Sequence, residues 1–233
     1  MKLNNITKLY GENKIFEKFS LNIEEGKITV ILGISGIGKT TLLNIIARQI
    51  KDFTGEIISQ IENQSISYIF QEETLIPWEN IYNNLKFVLK NKISKEEIDQ
   101  RIEKYLKIVN LEKYKDYYPS MLSGGMKRRV SIARAFAYPS QYLLMDEPFE
   151  FLDIKIKNEI LDDFLNMQKT EKRTIILVTH DIDLAFYLGD SIAVLNSQHK
   201  DGPIKIIENF NNSNNIEKNN IEKLKREVIE YIY

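Results

Sequence analysis

Residues 33–41 read GISGIGKTT, directly behind the apolar run ITVIL at 28–32. Gly33 to Thr40 fits the pattern G-x-x-x-x-G-K-[ST] and falls between a predicted strand and a predicted helix, the context in which that pattern cradles phosphate. Glycines let backbone N–H groups close on phosphate oxygens without side-chain interference, and the following helix points its positive dipole end at the same anion. The candidate nucleotide contacts are Gly33, Ser35, Gly36, Gly38, Lys39, Thr40 and Thr41. Lys39 would reach the β- and γ-phosphates, and the Thr40 hydroxyl would ligate Mg²⁺. An unliganded glycine-rich turn is the alternative, and the complete pattern in this context outweighs it. Such a loop requires a carboxylate for its metal. YLLMDEP at 142–148 supplies Asp146 where a strand is predicted to end, at the carboxyl edge of a parallel sheet. Alone, the acid pair would read as a solvated strand end. Beside a phosphate loop it divides the labour: Asp146 supports Mg²⁺ and Glu147 polarises the attacking water. The two stretches together point to nucleoside triphosphate hydrolysis.

The elements that must position these residues are short. Strand-like runs cover 3–10, 14–23 and 28–32, a helical pattern covers 40–49, and two β-rich stretches follow at 55–58 and 65–70. From Glu79 to Tyr118 the pattern is helical and charged. Ser94 with Glu97 makes a capping box, and Ile98, Ile102, Tyr105, Leu106 and Val109 recur on one face behind it. A helix over 126–137 stops before Pro139; then come YLLMD, a helix over about 154–169, and TIILVT at 174–179. Apolar runs alternating with helices predict an α/β fold with a mostly parallel sheet buried on both faces, an N-terminal antiparallel β subdomain and an inserted helical subdomain at about 72–122. SIAVLN and IKII bracket the turn signal KDGP, residues 209–220 are polar and expected to be mobile, and 221–233 predict an amphipathic C-terminal helix.

Composition excludes several classes. The 233 residues carry a net charge of −1, which offers no general pull on nucleic acid. There is no cysteine, so disulfides and thiolate metal sites are ruled out, and a reducing compartment fits. The N-terminus MKLNNITKLY has no apolar core of a secretory signal, and no apolar run is long enough to span a bilayer. A membrane role would have to come through a partner.

The stretch MLSGGMKRRVSIARAFA at 121–137 places a second helix entry of anion-binding character in the chain: Ser123 can cap the helix, while Gly124 and Gly125 expose its N–H groups. A flexible helix cap is the local alternative. LSGG before a basic helix resembles the signature motif of ATP-binding-cassette (ABC) ATPases, and the resemblance runs from about residue 2 to 208. It implies further roles. Tyr10 resembles the aromatic that stacks on adenine, with an edge-strand or core tyrosine as the alternative. Gln71 resembles the glutamine that touches Mg²⁺ and water and signals to the membrane partner. Asp153 lies in a loop that crosses to a second subunit, and His180 resembles the switch histidine at the γ-phosphate, with a structural histidine as the alternative. His199 stays unassigned. The resemblance implies a head-to-tail homodimer that sandwiches two ATP molecules between the phosphate loop of one subunit and Ser123, Gly124 and Gly125 of the other. Membrane permease subunits would dock at the helical lobe, with a solute-binding protein in the complex and the chain at the cytoplasmic face of the cell membrane.

Four positions depart from the family pattern: Ile34 replaces a proline, Met126 a glutamine, and Glu150 and Phe151 stand where small residues are usual. FQEETLIPW at 70–78 with LSGGMKRR at 122–129 resembles the importer group for nitrate, sulfonate and taurine, which includes transporters of thiamine-precursor pyrimidines. The alkanesulfonate and pyrimidine readings stay level. Trp78, the sole tryptophan, reads equally as a packing aromatic beside Pro77 and as a docking residue. The rival functions are a non-transport ABC ATPase of DNA repair or translation, an exporter's ATPase, and a small-molecule kinase. The single phosphate loop and the short helical lobe disfavour the first, and the signature motif disfavours the last.

Overall fold

Strand β3 (Ile28–Leu32) is buried at all five positions and carries the phosphate loop at its end. The computed structural model describes residues 1–59, 66–150, 152–203, 205–208 and 218–232. They form two compact units, one from Met1–Gln64, Leu144–Glu147 and Thr174–Tyr233, the other from Ser65–Leu143 and Pro148–Arg173.

In the first unit, β1 (Lys2–Tyr10) lies between β2 (Asn13–Asn22) and β4 (Thr54–Ile58), antiparallel to both. A second sheet runs β6–β7–β3–β8–β9, where β6 is Tyr142–Asp146, β7 Thr174–Thr179, β8 Ser191–Val194 and β9 Lys205–Glu208. β3 is parallel to β7 and β8, and β9 returns antiparallel to β8. β6 and β7 are buried throughout, as strands covered on both faces must be. The loop enters α1 (Lys39–Ile46), and α7 (Lys218–Ile232) closes the chain. Residues 209–217, most of the polar segment expected to be mobile, lie outside the described residues. A helix that the periodicity did not signal, α6 (Ile182–Leu188), starts at Asp181, whose Oδ1 accepts from Leu184 N at 3.0 Å. Seven residues are too few for a 3.6-residue period to stand out.

The second unit packs α2 (Ile81–Leu89), α3 (Lys95–Ile108), α4 (Gly124–Ala137) and α5 (Ile154–Glu171) with β5 (Ile66–Ile69). The expected helical segment lies within it. Both halves of the Ser94–Glu97 capping box are formed, and Ile98, Ile102, Tyr105, Leu106 and Val109 are all buried. Phe164 meets Phe136 and Phe149 edge-on, at 5.8 and 5.9 Å between centroids.

At one rim of this core, Glu171 accepts from Lys104 Nζ at 2.7 Å and from the Tyr105 hydroxyl at 2.5 Å. Burial pushes the Glu171 carboxyl up, but these hydrogen bonds and the Lys104 and Arg101 charges outweigh it and bring it down to about 2. A carboxyl depressed by folding stabilises the fold above its ordinary value, and that contribution disappears as the pH falls from about 4.5 toward 2. Glu171→Gln should therefore lower the urea midpoint at pH 7 by the equivalent of about 1 kcal/mol, after discounting for solvent screening. The gap between variant and wild type should close below pH 4.5; a gap that does not change with pH would show that packing, not charge, is what Glu171 contributes.

Candidate nucleotide site

The end of β3 is tied to β7 by Gly33 N donating to Thr179 O at 3.3 Å. Gly36 and Gly38 then adopt φ of +80° and +111°, left-handed values that disfavour any side chain. At Gly38 a Cβ would also stand 2.5 Å from Ile15 Cγ2, whereas Gly36 faces open space. The loop is thus bare where an anion would approach and packed where it meets β2. Lys39, 6% exposed, donates through Nζ to Gly33 O at 2.7 Å and Ile34 O at 3.1 Å. Its ammonium is held at the mouth of the loop, where arriving phosphate oxygens would exchange with these carbonyls. Ser35 and Thr40 are exposed and Thr41 is half-buried around that mouth.

The acid pair meets the loop. Asp146, at the last position of β6, accepts at Oδ1 from the Thr40 hydroxyl at 3.2 Å. Among the described residues no three His, Cys, Asp or Glu side chains cluster as a metal site. A hydroxyl and a carboxylate, both hard oxygen donors, fit Mg²⁺, which keeps several waters and takes the rest of its ligands from phosphate. Glu147 has φ of +42°, a left-handed value costing a non-glycine residue about 1–2 kcal/mol. Its own N–H donates to Val178 O at 3.1 Å, which holds the turn. The strained turn aims the carboxylate back at the loop: Oε1 lies 3.3 Å from Lys39 Nζ and 3.2 Å from His180 Nδ1. His180, 47% exposed, follows the end of β7. One carboxylate oxygen is therefore shared by the Lys39 ammonium and the His180 imidazole. That sharing could not be read from the sequence.

Tyr10 closes β1 and is half exposed, with the Lys8 ammonium 4.4 Å from its ring centroid. It lies in the first unit with the loop, Asp146, Glu147 and His180.

The remaining candidates belong to the second unit. Ser123 caps α4, accepting from Met126 N at 3.3 Å. Its two glycines differ. Gly124 faces open space, while a Cβ on Gly125 would stand 2.6 Å from Ile156 Cγ2, so Gly125 is small in order to pack on α5. Gln71 donates to Glu150 Oε2 at 2.8 Å, which gives that departure from the family pattern a defined contact; Phe151 lies outside the described residues. Asp153 precedes α5, is exposed, and makes no side-chain cap to the helix.

Two arginines of α4 that the sequence reading did not single out hold the segment around Gln71. Arg128 donates to the carbonyls of Pro148 and Phe70, the latter at 3.0 Å, and Arg134 donates to Thr74 O and Oγ1 at 2.9 and 2.7 Å. Burial lowers the Arg128 guanidinium to about 10. Their signal in the sequence was only their presence, charged, inside a helix whose other positions are largely apolar.

Comparison with known proteins agrees with this geometry. The family profile described as ABC transporter matches residues 16–150. The chain is 37% identical over 221 residues to an aliphatic sulfonates import ATP-binding protein, SsuB, of Bacillus cereus, covering 90% of this chain and 86% of that one. It is 39% identical over 214 residues to an Fe(3+) ions import ATP-binding protein, FbpC, of Fusobacterium nucleatum subsp. nucleatum, covering 88% of this chain but 57% of that longer one. Among solved structures, the dimeric post-hydrolysis state of the ATP-binding cassette MJ0796 bound to ADP and Pi superimposes with a TM-score of 0.74 at 33% identity, over 89% of this chain and 97% of that one. A phosphate loop, a strand-end acid pair and a capped LSGG helix thus sit in a chain alike in sequence and fold to such cassettes: it belongs to the ABC transporter family, as an ATP-binding and ATP-hydrolysing subunit.

Proposed function

We propose that this chain powers an importer of a small solute, acting as a homodimer that closes on two ATP molecules and opens when they are hydrolysed. The observation that carries the proposal is the Glu147 carboxylate, 3.3 Å from Lys39 Nζ and 3.2 Å from His180 Nδ1, directly after the Asp146 that binds Thr40. In this reading the loop amides and Lys39 bind the β- and γ-phosphates, and the dipole of α1 adds to them. Mg²⁺, for which Thr40 and Asp146 would supply oxygens and the family resemblance assigns Gln71 a further contact, would supply neutralisation of charge on the phosphate oxygens. Glu147 accepts a proton from the attacking water, and His180 orients both that carboxylate and the γ-phosphate. Tyr10 stacks on adenine. Ser123 and the Gly124 N–H face the γ-phosphate bound to the other subunit, and Asp153 reaches across the same interface. Closure of the dimer completes each site, so binding and hydrolysis become motion.

Import is favoured by the relatives: one is named for sulfonates, an oxyanion cargo, the other for Fe(3+), a cation. Cargo charge therefore differs among chains much like this one, and the cargo is chosen by other subunits. Alkanesulfonate, taurine, nitrate and thiamine-precursor pyrimidines remain the candidate class. No described helix is long and apolar enough to cross a membrane; in this reading the chain attaches through permease subunits. The helical lobe offers a surface for them. Phe87 and Trp78 are 67% and 76% exposed, and a groove of about 670 Å³ is lined by Asn83, Lys86, Phe87, Lys90, Ile93 and Ile98. The Trp78 segment is fixed from below by Asn84, fully buried, which accepts from Ile76 N at 2.8 Å and donates to Ile76 O at 3.1 Å.

The test is to recover tagged Glu147→Gln chain from the membranes of its own cell with ATP and Mg²⁺ and identify what comes with it. A multi-spanning permease and a solute-binding protein are expected, and Phe87→Glu in the same chain should lose them while keeping ATP binding. Recovery of ribosomes or DNA-processing proteins without a membrane subunit would leave the ATPase intact and end the transport reading.

A further inference from the structure

Lys8 takes no part in the hydrolysis described above, yet it is a cation only 1% exposed. The β1–β2 pairing shifts register between Ile6 and Lys8 and again between Lys8 and Leu9. Lys8 lies two residues after the buried Ile6, on the same inward face of β1, while Leu9 and Tyr10 stay 44% and 51% exposed. Lys8 Nζ donates to Asp52 Oδ2 at 2.6 Å and to Asp52 O at 3.1 Å, and it stands 4.4 Å from the Tyr10 ring centroid. Asp52 is enough to keep a buried ammonium paired. The third contact is to an aromatic at the end of its own strand, opposite Asn13 of β2, and Ile15 of that strand abuts the phosphate loop at Gly38.

We propose that Lys8 is a positioning residue for the nucleotide base: the buried ammonium holds the Tyr10 ring and polarises it, so that the part of the ring left open stacks more strongly on a purine. The proposal rests on the reading of Tyr10 as the adenine-stacking aromatic. An aromatic face is negative, and a cation against one face draws that density toward itself. The opposite face is left less negative and better matched to the electron-rich purine. The same contact restricts the ring's rotamers before the base arrives, which lowers the entropy lost on binding.

The experiment measures equilibrium binding of ATP and of inorganic tripolyphosphate to the full chain as wild type, Lys8→Gln, Lys8→Arg, Tyr10→Ala and the Lys8→Gln/Tyr10→Ala pair. Lys8→Gln should weaken ATP about fivefold, the scale of one cation–π contact, and leave tripolyphosphate unchanged. Lys8→Arg should restore ATP binding, and the pair should bind ATP no more weakly than Tyr10→Ala alone. Equal weakening of both ligands, or a full Lys8→Gln effect on top of Tyr10→Ala, would mean that Lys8 acts through the fold or through long-range charge, and the proposal fails. Wild-type ATP affinity in Tyr10→Ala removes the stacking reading itself, a separate result. Should Lys8→Gln not fold, Asp52→Asn at an 82% exposed position loosens the ammonium while leaving it in place. It should weaken ATP about twofold and spare tripolyphosphate, and no change in ATP affinity would overturn the proposal.

Discussion

Glu147→Gln should bind ATP at least as tightly as wild type and hydrolyse it about 10²–10⁴ times more slowly, leaving a dimer trapped on ATP. The amide keeps the shape of the side chain, so the φ of +42° at this position and the hydrogen bond from its N–H to Val178 O are undisturbed. What is lost is the negative charge and the ability to accept a proton. Losing the charge removes a repulsion next to the incoming γ-phosphate and frees Lys39, 3.3 Å away, to give itself wholly to phosphate. Binding is therefore spared or strengthened while the chemical step fails. His180, 3.2 Å from the same oxygen, keeps a hydrogen-bond partner in the amide but no longer faces an anion. The measurement is phosphate release in single turnover beside the stoichiometry of retained nucleotide. Normal release would take Glu147 out of its role and leave the base to be found elsewhere.

The second large effect is expected at Ser123, at the entry of α4. Ser123→Arg should leave the affinity of one chain for one ATP near wild type, abolish cooperativity between sites, and lower turnover about 10²-fold. The cap itself is a modest term: losing the bond that Met126 N makes to Ser123 Oγ at 3.3 Å costs about 1 kcal/mol of stability. The larger consequence is steric. Gly124 faces open space beside Ser123, and a long cation there fills the volume through which a partner's phosphate would reach the helix end. Wild-type cooperativity in a folded Ser123→Arg chain would show that this helix end never meets nucleotide. Ser123→Ala separates the two effects, since it loses the cap without filling the volume.

Sequence and structure divide the explanation in a consistent way. The phosphate loop was legible because its requirements are local: glycines at positions of positive φ, a lysine and a threonine on the first turn of the following helix. The strands ITVIL, YLLMD and TIILVT came out at the bounds read from the sequence, because a run of apolar residues buried on both faces leaves little choice of end. The capping box at Ser94 and the apolar face of α3 were legible for the same reason, each being a relation between residues three or four apart. The seven-residue helix α6 was not, being too short to display a period.

By itself, the sequence singled out candidate groups for binding phosphate, holding a metal and moving a proton, and the order of the strands and helices that carry them. These follow from residue type and near-neighbour spacing, to which backbone geometry responds directly. Only the tertiary structure decided which groups meet. That one oxygen of Glu147 is shared by Lys39 and His180, that Arg128 clasps the carbonyls of Phe70 and Pro148, and that Lys8 lies against Tyr10 all depend on contacts between side chains or segments. The strand period puts Lys8 and Tyr10 on one side of β1, but that the ammonium is buried and paired with Asp52, 44 residues away, was set by the fold. Distances of this kind are set by how the chain packs, and composition and spacing carry no term for them.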